Sequence, residues 1–163
     1  MTEKELIDLL KLEPLKPEGG YYRQTFKSDL SAPHHGADRA LSTCIYYLLS
    51  QDSYSAFHRV TGTEIFHFYL GDPAEIFQIA ADGSLDQQEL GSDLLSGQRP
   101  QVIVPALHWQ ALRLKKKARL GWSLLGTTVS PGFEFADFEL GRRKDLVTRY
   151  PAHSVLIEEL TRS

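Results

Sequence analysis

The chain has 163 residues, 42% of them hydrophobic and 24% charged, with a formal net charge of −3. That length suits one domain with a sizeable core, and that composition is ordinary for a soluble globular protein. The slight negative balance gives no basic field to recruit nucleic acid or an anionic membrane surface, and the single cysteine, Cys44, excludes an internal disulfide. The longest apolar runs, such as "CIYYLL", are far too short to span a bilayer, and the acidic start "MTEKELIDLL" has no cleavage-site pattern. A cytoplasmic location is expected.

In chain order, "TEKELIDLLKL" predicts a short helix: Thr2 caps it, Glu5 reaches back, and Leu6, Leu9 and Leu10 form its apolar stripe. "EPLKPEGG" ends it with Pro14, Pro17, Gly19 and Gly20. "YYRQTFKS" reads as a strand and "SAPHHGADRA" as a polar loop, in which the adjacent His34 and His35 are expected to be exposed. From Leu41 onward come short segments rich in β-branched and aromatic residues, separated by turn signals at Asp72-Pro73, Asp82-Gly83 and Ser130-Pro131-Gly132. Such spacing predicts an antiparallel sandwich or barrel. "GFEFADFELG" is expected to be a sheet strand, "KKKAR" (115–119) a solvated hairpin end, and Cys44 a buried, inert thiol. Trp109 and Trp122 read as core or pocket wall rather than a nucleic-acid stacking platform. "RRKDLVTRY" and "PAHSVLIEELT" predict helices at the end of an otherwise all-β domain covering residues 1–163.

The stretch with most chemistry is "SAFHRVTGTEIFHFYLGDP", Ser55 to Pro73. Side chains of a strand alternate between faces, so His58 shares a face with Val60, and Glu64 with Phe66 and Phe68. The intervening "TGT" predicts a hairpin in which His58 and Glu64 meet on the inner face, while His67, of opposite parity to Glu64, points away. A histidine facing a buried carboxyl is suited to proton transfer near neutral pH. It is equally suited to hold a polar ligand, or simply to satisfy buried polar groups within a barrel. Arg23, on the N-terminal strand, is the expected partner for the carboxylate.

Metal-binding cupins carry Gly, five residues, His-x-His, three or four residues, Glu, six residues, Gly. His58, Glu64 and Gly71 stand at those spacings, but Val60 occupies the second histidine's place and Asp52 the first glycine's. The second cupin motif, Pro-x-Gly-x-x-His, is met by "PALHWQ" with Pro105 in place, Leu107 at the glycine and Gln110 at the histidine. The whole chain resembles the DUF985 (Cupin_5) family through "EPLKPEGGYYRQTF", "SAFHRVTGTEIFHFYLGDP", "VIVPALHWQAL" and "TVSPGFEFADFELGRRKDLVTRYP", which run in family order from residue 13 to residue 151. The resemblance implies a double-stranded β-helix barrel, jelly-roll-like, with short terminal helices, a pocket in the barrel mouth and a homodimer; it implies no particular reaction. The expected ligand is a small polar molecule, sugar-like or anionic, held by His58, Glu64 and Gln110 with Arg23 and Trp109 nearby.

Two enzymatic readings accompany it. Sugar-nucleotide 3,5-epimerases of the cupin class are similar in lacking the metal site and using a barrel histidine as base, with His58 at that position and Tyr22, Tyr46 and Tyr69 as available acids. Their Arg-Gly-Leu-His signature is replaced here by "SAFH". The other reading is a metal-dependent cupin enzyme whose divalent transition metal would take His58, Glu64 and Gln110, with His108 as a recruited imidazole. Because valine donates nothing and an amide replaces imidazole poorly, no metal cofactor is expected.

Overall fold

The computed structural model describes residues 1–116 and 118–162; Lys117 of the charged run lies outside the described residues. The chain opens with helix α1 (Glu3–Leu10), whose first amides are closed reciprocally: Glu5 N donates to Thr2 Oγ1 at 3.2 Å and Thr2 N to Glu5 Oε2 at 2.7 Å. The strands follow as β1 (Glu13–Pro14), β2 (Tyr21–Lys27), β3 (Ser31–His34), β4 (Ala37–Ala40), β5 (Thr43–Ser50), β6 (Tyr54–Val60), β7 (Thr63–Gly71), β8 (Ala74–Ile79), β9 (Leu85–Leu90), β10 (Gln101–Val104), β11 (Trp109–Leu114), β12 (Trp122–Ser130) and β13 (Phe138–Leu140). Helices α2 (Arg143–Arg149) and α3 (Ser154–Glu159) end the chain.

Two antiparallel sheets face each other. One has the order β1-β2-β5-β12-β7-β10, the other β13-β6-β11-β8-β9. Between them, Tyr47, Leu49, Phe66 and Leu125 of the first sheet interdigitate with Ile76, Leu90 and Leu112 of the second. The outer face of the five-stranded sheet packs Phe57, Phe77 and Trp109 under Leu146, Ile157 and Leu160 of the C-terminal helices. On the outer face of the six-stranded sheet, Leu48, Trp122 and Leu124 are covered by Leu6 of α1. The fold is the expected all-β sandwich with short terminal helices. No helix among the described residues is long and apolar enough to cross a membrane.

Three local expectations are corrected. First, β6 and β7 do not form a hairpin. β6 pairs with β11 and β13, β7 with β12 and β10, and Thr61–Thr63 carries the chain across the corner from one sheet to the other. A strand that changes sheets at a corner keeps both inner faces apolar, so Val60 and Phe66 still point inward, from opposite walls. Second, the polar loop "SAPHHGADRA" is the hairpin β3–β4, closed by His35 and Gly36 at φ 46° and 81°, the two positive values a tight two-residue turn needs. Third, only the last three residues of "FEFADFEL" form a strand; the preceding 3₁₀ turn Phe135–Asp137 belongs to a flap across one end of the sandwich.

The Gly71-Asp72-Pro73 stop has a structural task. The buried Asp72 carboxylate accepts from the backbone amides of Arg119, Leu120 and Gly121 at 3.0, 2.7 and 2.7 Å, fastening the turn that starts β12. Asp72→Ala orphans all three donors and is expected to cost about 3 kcal/mol or more, read as a lower urea midpoint at unchanged slope, with Asp72→Asn recovering part of the loss.

Candidate functional site

A cavity of about 390 Å³ opens between the two sheets at the end covered by the flap. Its polar wall is built by strand alternation plus one loop. On β6, the register runs His58 opposite Gln110, then Ser55 opposite Leu112, so a bulge in this stretch lets Ser55 and His58 both face inward. His58 is 2% exposed, and its Nδ1 lies 2.8 Å from the Ala56 carbonyl. A carbonyl only accepts, so Nδ1 carries the proton, and Nε2 is left facing the cavity. Phe138 of β13 stacks on the ring at 5.2 Å, fixing its plane.

The group nearest Nε2 is Glu18, whose Oε2 is 3.9 Å away and whose Oε1 accepts from Ser55 Oγ at 2.6 Å. Glu18 reaches this place because the chain turns back immediately after it: Gly19 and Gly20 have φ of 121° and 75°, and a Cβ on Gly19 would collide with the Tyr54 carbonyl. Tyr47 of β5 donates its hydroxyl to the Gly19 carbonyl at 2.9 Å, and burial, followed by the nearby Glu18 charge, pushes its pKa well up, so it stays a neutral donor.

Glu64 comes from the opposite wall. It is 8% exposed, and its Oε2 accepts from Gln110 Nε2 at 2.6 Å. Gln110, fully buried, thus crosses the interior from β11 to hold a carboxyl of β7. Burial raises the Glu64 pKa to about 7; Glu18 adds to the rise, while His58 and the Gln110 amide oppose it. Thr127 of β12, 3% exposed, lines the cavity close enough to favour the charged form of Glu64, but its Oγ1 has no hydrogen-bond partner of regular geometry. His58 and Glu64 therefore share one cavity without a direct bond, each with its own partner.

The other expected site residues sit elsewhere. Tyr22 and Gln24 face inward on β2, so Arg23 between them points out, its guanidinium 5.4 Å from the centre of the Tyr46 ring. Trp109 is flipped outward by the same alternation, since its neighbour Gln110 is inward; it packs under the C-terminal helices with Arg59 over its ring at 4.6 Å. Gln110 itself stands behind Glu64 rather than on the cavity surface. His67 lies on the outer face, 3.1 Å from Thr128 Oγ1, and His108 is not among the residues lining the cavity.

The mouth is framed by the flap. Gly132 N donates to the Ala40 carbonyl at 2.7 Å, Phe133 N to Thr43 Oγ1 at 3.0 Å, and Arg39 clasps Asp137 through bonds of 2.6 and 3.0 Å. Phe133, Phe135 and Phe138 line the opening. Lys27 lines it too, because the shift in register between Gln24 and Phe26 returns position 27 to the inner face, where it pairs with Glu134 at 2.7 Å.

This donor set does not fit a transition metal. Val60 stands where a second imidazole would be, and the Gln110 amide is committed to Glu64. Among the described residues no group of three or more His, Cys, Asp or Glu side chains is arranged to hold an ion. What the wall does offer is an imidazole nitrogen facing a carboxyl that is part neutral at neutral pH, a pair able to take and give protons.

Comparison with known proteins places this geometry. The family model Cupin_5, described as "Cupin superfamily (DUF985)", matches residues 4–141. The uncharacterized protein YML079W of Saccharomyces cerevisiae is 28% identical over 141 residues, covering 78% of this chain and 70% of its own. Among solved structures, a hypothetical protein from Leishmania major superposes with a TM-score of 0.94 at 28% identity over 100% of both chains. Protein SO0799 of Shewanella oneidensis gives 0.90 at 36% identity over 99% and 98%. Oxalate decarboxylase of Bacillus subtilis, an enzyme with Mn(II) centres, matches at 0.57 and 10% identity over 93% of this chain and 37% of its own, a likeness of fold alone.

The raised Glu64 pKa makes a stability prediction. Its value in the fold, about 7, lies above the ordinary value of 4.5, so the neutral form favours the folded state. That contribution is complete below about 4.5 and is lost as pH rises through about 7, a difference of roughly 3 kcal/mol. Glu64→Gln stays neutral and keeps an acceptor for Gln110. Its stability relative to the wild type should rise between about pH 5 and pH 8 by up to that amount in urea unfolding; a gap that stays constant contradicts the assignment.

Proposed function

Since the chain belongs to the Cupin_5 (DUF985) family of the cupin superfamily, we propose that it works as a small-molecule-binding cupin. Its ligand would be a polar, sugar-like molecule held in the cavity between the sheets without a metal cofactor. The observation that carries this reading is the polar wall itself. His58 Nε2, Glu18, Glu64 and the unpartnered Thr127 hydroxyl converge on one space of about 390 Å³, a size typical of small-molecule sites. A buried hydroxyl without a partner costs about 1–3 kcal/mol, and the other three groups keep lone pairs free, so the wall suits an occupant with several hydroxyl-type donors and acceptors better than an empty core. The carboxylates make a simple anion the poorer match of the two ligand types expected from sequence. A cytoplasmic setting accords with the single cysteine.

A second reading, a metal-free isomerase or epimerase, is favoured by one specific feature: His58 Nε2 and Glu64 approach the same space from opposite walls. His58 would remove a proton from a carbon next to a carbonyl, and neutral Glu64 would protonate the oxygen that gains the charge. A metal-dependent enzyme finds no support in the donor set.

Homodimerisation is proposed as well. Phe26, Tyr69, Leu70 and Ile103 are exposed on the six-stranded sheet, and β10 is an end strand of that sheet that a second copy would cover.

Native mass spectrometry of untagged protein reads all three points together: twice the chain mass of 18.4 kDa, plus a copurifying organic ligand, without a transition metal. A bare 18.4 kDa monomer, or near one equivalent of Fe, Mn, Ni or Zn, contradicts the corresponding part. His58→Ala is expected to weaken binding of the copurified ligand by about 1.5–3 kcal/mol, whereas His67→Ala, on the outer face, should leave it unchanged in calorimetry.

A further inference from the structure

We infer that the ligand carries a protonated amine, and that its ammonium group is taken up between Glu18 and Glu64; this rests on the small-molecule reading above and narrows it to a chemical class. The cavity is lined by four glutamates, Glu13, Glu18, Glu64 and Glu134, against one lysine, Lys27, which Glu134 already occupies at the mouth. Among the described residues, neither Glu18 nor Glu64 is ion-paired with an arginine or a lysine. The other groups facing them already have partners of their own. Tyr47 gives its proton to the Gly19 carbonyl, Ser55 gives its own to Glu18, and Gln110 supplies Glu64 with an amide. His58, its Nδ1 bonded to the Ala56 carbonyl, turns Nε2 toward Glu18 Oε2 at 3.9 Å.

Acidic residues alone would not define a site. Here a second feature points to an occupant: Thr127 Oγ1, on a residue 3% exposed and on the cavity wall near Glu64, makes no hydrogen bond of regular geometry among the described residues. An ammonium group has three donors and no acceptor. The acceptors around this space, Glu18, Glu64 and the Thr127 oxygen, match that demand in number. The faces of Phe66, Phe133 and Phe138 around the same space suit the carbon skeleton of an alkylammonium ion. A carboxylate or phosphate ligand would instead enter a low-dielectric space lined by like charges, with Lys27 already engaged.

Binding must then be linked to protons. Before binding, Glu64 holds its proton part of the time near neutral pH because of burial and of Glu18, with His58 and Gln110 opposing. A cation placed beside it favours the carboxylate, so the complex releases protons as it forms, and affinity rises as pH increases from about 6 to 8.

Three six-carbon polyols that differ at one terminal carbon separate the possibilities: glucamine bears an amine, sorbitol an alcohol and gluconate a carboxylate. In ¹H–¹⁵N NMR titrations of the full chain, glucamine is expected to move the amide signals of Glu64 and Thr127 and to bind roughly tenfold or more tightly than sorbitol, with gluconate weakest. Calorimetry at pH 7 in two buffers of different ionisation enthalpy should register proton release with glucamine. Glu18→Gln should bring glucamine down toward sorbitol. Equal or tighter binding of sorbitol or gluconate, or proton uptake, overturns the amine assignment and leaves the small-molecule reading standing. If none of the three perturbs the cavity, the assignment also falls, and the broader reading is decided separately by the copurified mass.

Discussion

A carboxyl group buried between two β-sheets must be neutralised, paired or hydrated, and Glu64 is none of these fully. Its one strong bond is the 2.6 Å contact from Gln110, and no basic side chain pairs with it among the described residues. Much of the surrounding architecture follows from holding that group in place. Gln110 is fully buried because it spans the interior to reach Glu64. Directly across β6 from Gln110 lies His58, so the imidazole and the amide share one rung of the five-stranded sheet. The local bulge in β6 puts Ser55 on the same inner face, where it binds Glu18, and Glu18 in turn raises the proton affinity of Glu64. Charge, register and loop geometry thus converge on one space.

The corner at Thr61–Thr63 gives that space two walls. In a hairpin, His58 and Glu64 would lie side by side on one surface and could satisfy each other. Placed on opposite sheets, they are separated by room for a molecule, and each keeps a functional atom facing it. The flap from Pro131 to Phe138 then narrows the entrance with aromatic rings. It is tied to the β3–β4 hairpin by the Gly132–Ala40 backbone bond and by the Arg39–Asp137 clasp, which holds the Asp137 carboxyl below its ordinary pKa. Members of one fold superfamily need not share chemistry, and here the departure is traceable to particular side chains: Val60 and Gln110 remove two imidazoles from the usual donor set.

The barrel was legible in the sequence because regularly spaced short β segments and turn residues leave few alternatives. Alternation also gave Glu64 and His67 their opposite directions on one strand, whereas the hairpin expected to bring His58 and Glu64 together is absent, and the two reach one cavity from different sheets. Arg23 and Trp109 were missed by a single residue each. Both were chosen for chemistry and proximity in sequence, while parity gives the inner face to Tyr22 and Gln24 on β2 and to Gln110 on β11. Glu18 was illegible for a different reason. It sits in a Pro-Gly stretch that reads only as the end of a helix, and nothing local says that two left-handed glycines return the chain toward β6. Thr127 is hidden in an apolar strand, and the β6–β7 turn has hairpin chemistry although its strands belong to different sheets. Contacts between sheets, unlike parity within a strand, are set by tertiary packing.

The chemistry of the cavity turns on the protonation of one side chain, which is directly measurable. With side-chain carboxyls of glutamate labelled with ¹³C, NMR pH titration should show Glu64 titrating near 7, apart from the exposed glutamates, and moving downward when Glu18→Gln removes the neighbouring charge. A Glu64 signal that titrates with the others near 4.5 would mean the carboxyl is ordinarily solvated or paired, and would contradict the reading of the cavity.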